Sequence, residues 1–330
     1  MKKVLESLFN HNILSEDEAN NVLVRIAAGE GTEAQLSAFM TVFLMRTVTL
    51  GELSGFRSAL LGLCKTISLD SENAIDLCGT GGDGKNTFNI STLSSFVVAG
   101  AGGKVIKHGN YGVSSVSGSS NVMEYFGYKF SDDQLKIEKT FNECGVCFLH
   151  APLFHPALKR VGSIRRDLGV KTFFNMLGPL VNPARPKYRV TGVFNLELAR
   201  AYEYLIQQTN EKYVILHSLD GYDEFSLTSD AKIFTNKGEQ ILSPTRYGFE
   251  KLQPSDILGG ATVEAAANVF KEILNNRGTK AQQDVVVANA ALALQCLEMY
   301  QTLEEAIDAS RESLTSGKAL NVFKRTLELN

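Results

Sequence analysis

The chain is poor in features that constrain a fold covalently, and neither sign of charge dominates it. Its five cysteines, Cys64, Cys78, Cys144, Cys147 and Cys296, are odd in number and irregular in spacing, which argues against a disulfide framework. Cys144-Gly145-Val146-Cys147 spells C-x-x-C, but no second pair exists. Cys147 also lies in the apolar run Val146-Cys147-Phe148-Leu149, which reads as a buried strand and not as a zinc or redox site. With 33 basic and 36 acidic residues the formal net charge is -3, so there is no electrostatic footprint for nucleic acid or an anionic membrane. No apolar run approaches the roughly 18 residues of a spanning helix. Glu6 interrupts the N-terminus where a signal peptide needs an unbroken apolar stretch. Internal repeats and low-complexity tracts are missing too. These absences predict a soluble, cytoplasmic protein.

What remains is ordinary globular composition, 44% hydrophobic and 21% charged over 330 residues. That length suits two domains, or one large domain with a smaller companion. The first 65 residues or so read as helices only. Ser15 is followed three on by Glu18, Thr32 by Gln35 and Thr49 by Glu52. In each pair a side-chain oxygen can accept from an orphan N–H at a helix start, while the residue three on reaches back. Each pair opens an amphipathic segment, marked in turn by Leu23, Ile26 and Ala27, by Ala38, Phe39, Val42 and Phe43, and by Leu53, Phe56, Leu60 and Leu61. A small helical bundle is predicted.

Near residue 72 the pattern changes. Ala74–Cys78, Lys104–Ile106, Val146–Leu149, Val190–Phe194, Tyr213–His217 and Lys232–Phe234 read as strands. Helical patterns at Ser91–Ala101, Asn121–Tyr125 and Leu196–Gln207 separate several of them. Such alternation implies βαβ units and a largely parallel sheet. From Thr262 the chain is helical again, with Ala-rich segments such as Val285–Leu294. The predicted class is therefore α/β, with a small α-helical domain over 1–68 and a large α/β domain over 72–330.

The stretch Asp76-Leu77-Cys78-Gly79-Thr80-Gly81-Gly82-Asp83-Gly84-Lys85-Asn86-Thr87-Phe88-Asn89-Ile90-Ser91-Thr92 leaves a strand and enters a helix. Four glycines within six residues give backbone freedom and close approach. With hydroxyls and exposed N–H groups at a helix start, they make an anion site. The spacing is neither a Walker A loop nor the dinucleotide fingerprint. Gly100-Ala101-Gly102-Gly103 reads instead as a helix end. A second such stretch, Lys107-His108-Gly109-Asn110 through Ser119, Ser120 and Asn121, also leaves a strand, is rich in glycine and serine, and has a cation at its start. Two such loops from adjacent strand ends converge on one crevice and suit a phosphorylated substrate. The third element, Asp220-Gly221-Tyr222-Asp223-Glu224, puts adjacent carboxylates on a loop after a strand, which suits Mg²⁺ with its oxygen ligands. Without the two loops it would read as a solvated acidic turn. The fourth comprises His155-Pro156, Arg165-Arg166 and Gly178-Pro179-Leu180-Val181-Asn182-Pro183, in which an Arg can pair with a carboxylate.

In this order the four elements resemble the anthranilate phosphoribosyltransferases over nearly the whole chain. Gly79-Thr80-Gly81-Gly82-Asp83 and Lys107-His108-Gly109-Asn110 look like that family's signature loops, and Asp223-Glu224 like its metal-binding pair. The resemblance implies a helical domain made discontinuous by a returning segment near 160–185, an active site at the hinge between two domains, and a homodimer through the helical domain. It implies transfer of phosphoribosyl from phosphoribosyl pyrophosphate (PRPP) to the amine of anthranilate, in tryptophan biosynthesis. Gly79, Gly82, Asp83, Thr87, Asn89, Ser91, Thr92, Lys107 and Ser119 would hold PRPP. Ser91, Asp223 and Glu224 would coordinate Mg²⁺, while Gly79, His108, Asn110, His155, Arg165 and Pro179 would line the anthranilate site.

Where the family commonly has Arg after Lys-His-Gly-Asn, this chain has Tyr111, which removes one cation while Lys107 and Arg165 remain. No strong general base is required, because anthranilate's amine is unprotonated at neutral pH; positioning and leaving-group electrostatics from Lys107 and Mg²⁺ carry the step. Two rival readings are a pyrimidine nucleoside phosphorylase and a nucleic-acid-binding relative without activity. Lys107-His108-Gly109-Asn110 opposes the first; the net charge and the intact acidic pair oppose the second.

Overall fold

The three capping boxes form. Ser15, Thr32 and Thr49 accept from the N–H groups of Glu18, Gln35 and Glu52, whose side chains reach back to the cap. They open the helices Glu16–Ala27, Glu33–Met45 and Leu50–Leu63. The computed structural model describes residues 1–112 and 116–330; Val113, Ser114 and Ser115 of the second glycine–serine stretch lie outside them. The chain divides into two units, Met1–Ile67 with Ala151–Pro183 and Ser68–His150 with Ala184–Asn330.

The first unit is helical. Phe39, Phe43, Phe56 and Phe173 form its aromatic centre, with neighbouring ring centroids 4.5 to 6.2 Å apart. A Cβ on Gly55 would lie 2.8 Å from the Ala19 Cβ, so glycine lets helix Leu50–Leu63 lie directly against Glu16–Ala27. Glu52 is fully buried beneath this packing. Burial opposes its ionisation, but the Arg46 guanidinium and the Leu14 and Thr49 N–H groups outweigh that penalty and hold its pKa below the ordinary value.

The second unit is built on a seven-stranded sheet: β1 Ala74–Leu77, β2 Lys104–Gly109, β3 Val146–His150, β4 Tyr188–Gly192, β5 Lys212–Ser218, β6 Ala231–Thr235 and β7 Gly238–Leu242. Their order is β3-β2-β1-β4-β5-β6-β7. β1 to β5 pair in parallel, while β6 and β7 add antiparallel. The chain leaves β1 toward β2 on one side and later returns to β4 on the other. That reversal makes a switch point, and the crevice beyond the carboxyl ends of β1 and β4 is where such sheets place ligands. Helix Ile90–Gly100 is mostly buried in this unit, and helix Lys280–Cys296 is buried from Asp284 to Leu294.

The structure shifts or extends several elements and adds others: β4 runs over Tyr188–Gly192 and not Val190–Phe194, and helices Lys2–Phe9 and Gln134–Cys144 have no counterpart in the pattern above. Lys107, His108 and Gly109 belong to β2 and not to the loop after it, because they pair with Phe148, Leu149 and His150 of β3. β7 has no counterpart in the strand pattern above. Gly238–Ile241 is exposed and carries no apolar run, and its pairing with β6 defines it.

Candidate active site

The glycine-rich loop begins as an extension of β1. The Cys78 and Thr80 N–H groups donate to the Val190 and Gly192 carbonyls, at 3.1 and 2.9 Å. The loop then turns, with Gly81 at φ +62°. A Cβ on Gly79 would stand 2.6 Å from Asp223 Oδ2, so glycine is needed there for space rather than for conformation. The Gly81 N–H donates to the same carboxylate oxygen at 2.6 Å. On its far side the loop is pinned to the 257–260 segment, where Asn86 Nδ2 donates to the Gly260 carbonyl at 2.6 Å and Thr87 bridges Leu258. Helix Ile90–Gly100 starts without a side-chain cap, because Asn89 is used elsewhere: its Nδ2 donates to the Ser117 carbonyl at 2.9 Å. Asn89 thus ties the first loop to the second.

The acidic loop follows β5. Ser218 Oγ donates to the Glu224 carbonyl at 2.7 Å. A Cβ on Gly192, the last residue of β4, would overlap the Asp223 carbonyl, so the loop crosses directly over that strand end. A small cavity is bounded by Gly79, Ser91, Gly192, Glu224 and Asn289.

The electrostatics of the cluster are unbalanced. Burial, then the negative charges of Asp83 and Glu224, push the Asp223 carboxyl well above the usual carboxylate range, against the Gly81 N–H. Burial raises Glu224 to about 7, while the Lys107 charge and hydrogen bonds from Ser91 pull it back. Asp83 Oδ2 is buried with no hydrogen-bond partner. Asp223 and Glu224 therefore carry like charge at adjacent positions, with Asp83 adding to it and Lys107 as the neighbouring cation. Lys107 is 2% exposed, and its Nζ donates to the Leu77 carbonyl and, at 3.2 Å, to Ser91 Oγ. Among the described residues no group of three or more His, Cys, Asp or Glu side chains is placed to hold a metal ion. Mg²⁺ does not need such a group, since it uses one or two carboxylates and fills its shell with water and phosphate oxygens. The donor set fits that ion.

The sequence-predicted residues fall into two groups. Gly79, Gly82, Asp83, Thr87, Asn89, Ser91, Thr92, Lys107, His108, Asn110, Ser119, Asp223 and Glu224 lie in the sheet unit. Thr92 is buried in the helix's first turn. His108 is buried on β2, with its N–H donating to Asp76 Oδ1 at 3.1 Å. The Asn110 carbonyl accepts from the Ser119 hydroxyl at 3.3 Å, which ties the end of β2 to the start of helix Ser119–Tyr125. His155, Arg165 and Pro179 lie in the helical unit. His155 Nε2 donates to the Val181 carbonyl at 2.9 Å, and burial drops its pKa to about 4. The Arg165 guanidinium lies over Phe174, 5.5 Å from the ring centroid, and burial lowers its pKa.

Sequence reasoning missed Gly192, Ser218 and Asn289, which shape the acidic loop from outside its motif. It also missed the contact between the loops made by Lys85, whose Nζ lies over the Tyr222 ring at 4.6 Å. A glycine inside the predicted strand Val190–Phe194 was the one local signal for Gly192; the others are pairings that only the fold creates.

This arrangement has known counterparts. Residues 71–320 match the α/β domain of a glycosyl transferase family, and residues 2–64 its helical bundle domain. The chain is 56% identical to an anthranilate phosphoribosyltransferase of Flavobacterium johnsoniae over the full length of both, and 51% identical to one of Bacteroides thetaiotaomicron, covering 100% of this chain and 99% of that one. Among solved structures it is similar to anthranilate phosphoribosyltransferase from Thermus thermophilus, with TM-score 0.91, 28% identity and 98% of each chain covered. It is also similar to the Saccharomyces cerevisiae protein in complex with PRPP and Mg, with TM-score 0.89, 25% identity, and 98% and 96% covered. The chain therefore belongs to this glycosyl transferase family and, within it, to the anthranilate phosphoribosyltransferases. No helix among the described residues is long and apolar enough to cross a membrane.

Proposed function

We propose that the chain transfers phosphoribosyl from PRPP to the amine of anthranilate with Mg²⁺, as a cytoplasmic step of tryptophan biosynthesis. The observation that supports this most is the packing of the Asp223-Glu224 loop directly against the glycine-rich loop, with the Gly81 N–H on the Asp223 carboxylate and with Gly79, Ser91 and Glu224 lining one cavity. Ser91, Asp223 and Glu224 would hold the Mg²⁺, which when bound neutralises charge on the pyrophosphate. In the reaction the bond from the anomeric carbon to pyrophosphate oxygen breaks, a bond to the anthranilate nitrogen forms, and the amine proton passes to solvent.

The chain's own residues position the partners and stabilise the leaving group. The loop N–H groups, with Gly79, Gly82, Asn89, Thr92 and Ser119, are assigned to the phosphates and ribose. Lys107 sits behind Ser91, and we assign it a charge role on the pyrophosphate side. Arg165 is assigned to the anthranilate carboxylate, with His155 and Pro179 assigned to the same substrate. A homodimer through the helical unit accompanies this reading, and sedimentation of the intact chain tests it.

The reaction is tested by supplying PRPP and anthranilate, or uridine or thymidine with phosphate, to the same preparation. Consumption of anthranilate alone supports the proposal; phosphorolysis of a nucleoside would overturn it.

A further inference from the structure

Asn289 lies on helix Lys280–Cys296, far in sequence from every motif of the site, and is 2% exposed. Its side chain makes two hydrogen bonds to the backbone of one residue of the acidic loop, spanning the two peptide units that flank it. Oδ1 accepts from the Phe225 N–H at 3.0 Å, and Nδ2 donates to the Phe225 carbonyl at 3.0 Å. Nδ2 also donates to the Val285 carbonyl of its own helix at 2.8 Å, which holds the amide in one rotamer. A buried asparagine could simply satisfy a helix, yet this one spends both ends of its amide on the residue directly after Glu224. Only an amide carries donor and acceptor side by side for this match. The same helix grips the other ligand loop's helix, where Ser94 Oγ donates to the Val286 carbonyl at 3.2 Å. Ser91 and Glu224 are therefore registered against each other through one rigid element.

We infer that Asn289 is a positioning residue for the metal site, setting where the Asp223 and Glu224 carboxylates stand relative to Ser91. The inference rests on the proposed Mg²⁺-dependent transfer. Groups that orient ligands from behind typically change metal affinity by ~10–100-fold when removed.

The test compares the full-length chain with Asn289→Leu and Asn289→Ser, and with Ile137→Ala as a core truncation in the helix before β3. Two quantities are read: the Mg²⁺ concentration giving half-maximal transfer, and the rise in Tm on adding Mg²⁺ with pyrophosphate. Both Asn289 variants are expected to need ~10–100-fold more Mg²⁺ and to lose most of the Tm rise, with the KM for anthranilate within about threefold. Ile137→Ala should lower the Tm without moving either quantity. If Asn289→Leu does not fold, Asn289→Ser decides. A folded Asn289 variant with unchanged Mg²⁺ requirement and unchanged Tm rise overturns the inference. Failure of the proposed function would look different: the unmodified chain itself would show no Mg²⁺-dependent transfer, while the Tm rise would still decide the role of Asn289.

Discussion

Gly79→Ala is the smallest change that should disable the site without disturbing the fold. Gly79 does not occupy the left-handed region, so alanine can adopt its backbone conformation. The added Cβ would lie 2.6 Å from Asp223 Oδ2 and 3.2 Å from its Cγ. Since ordinary contact begins at 3.4 Å, the carboxylate must retreat by about 0.8 Å. It cannot do so freely, because the Gly81 N–H holds the same oxygen at 2.6 Å and the Asp223 carbonyl lies against Gly192. A displacement of about 1 Å in a positioned group costs ~10²-fold in rate, or about 2.7 kcal/mol. We expect kcat/KM for PRPP to fall by roughly 10²-fold, while the Tm stays within about 3 °C of the unmodified chain. Anthranilate fluorescence followed at several Mg²⁺ concentrations, beside a thermal melt, measures both. A Gly79→Ala protein with kcat/KM within threefold of the original would refute the claim that Asp223 works from its present position.

Other perturbations separate the parts of the account. Asp223→Asn with Glu224→Gln should abolish turnover without lowering the Tm, because buried like charges are removed; a near-normal rate would sink the metal-site reading. Arg165→Ala should raise the KM for anthranilate by ~10–100-fold, the range expected for a lost charge-assisted hydrogen bond, and an unchanged KM would remove Arg165 from the acceptor site. His155 is neutral in the fold, with a pKa of about 4 against an ordinary 6.5. The unfolded chain therefore binds its proton first, so stability is complete above pH 6.5 and declines as pH falls toward 4, by about 3 kcal/mol at most. Urea melts across that window should show the decline, and His155→Gln should flatten it; an equal slope in both proteins would count against the assignment.

How much of this was legible in the sequence depended on whether the signal was local. A capping box is a contact between residues three apart, so three of the four N-terminal helices could be located from Ser15, Thr32 and Thr49, while Lys2–Phe9, which has no side-chain cap, could not. Parallel strands buried on both faces read as apolar runs, as β1 and β3 do. β7 is an exposed edge strand and carries no such run. The composition of the glycine-rich loop pointed to an anion site, and Asp223-Glu224 pointed to a metal pair only in company with the two loops. The burial that raises Asp223, and the approach of Asp83 that adds to it, join residues 140 positions apart and depend on β1 and β4 being neighbours. Asn289 belongs to the same class, since nothing in an Ala-rich helix marks one asparagine as the partner of Phe225.

The central claim is that Ser91, Asp223 and Glu224 serve a cation-dependent transfer between PRPP and anthranilate. Its most direct test is the loss of anthranilate fluorescence on adding PRPP, with Mg²⁺ present and then with Mg²⁺ removed by a chelator. The account predicts rapid loss with Mg²⁺, none after chelation, and recovery when Mg²⁺ is restored. A folded protein that consumes no anthranilate under any of these conditions, or consumes it equally well without Mg²⁺, would contradict it.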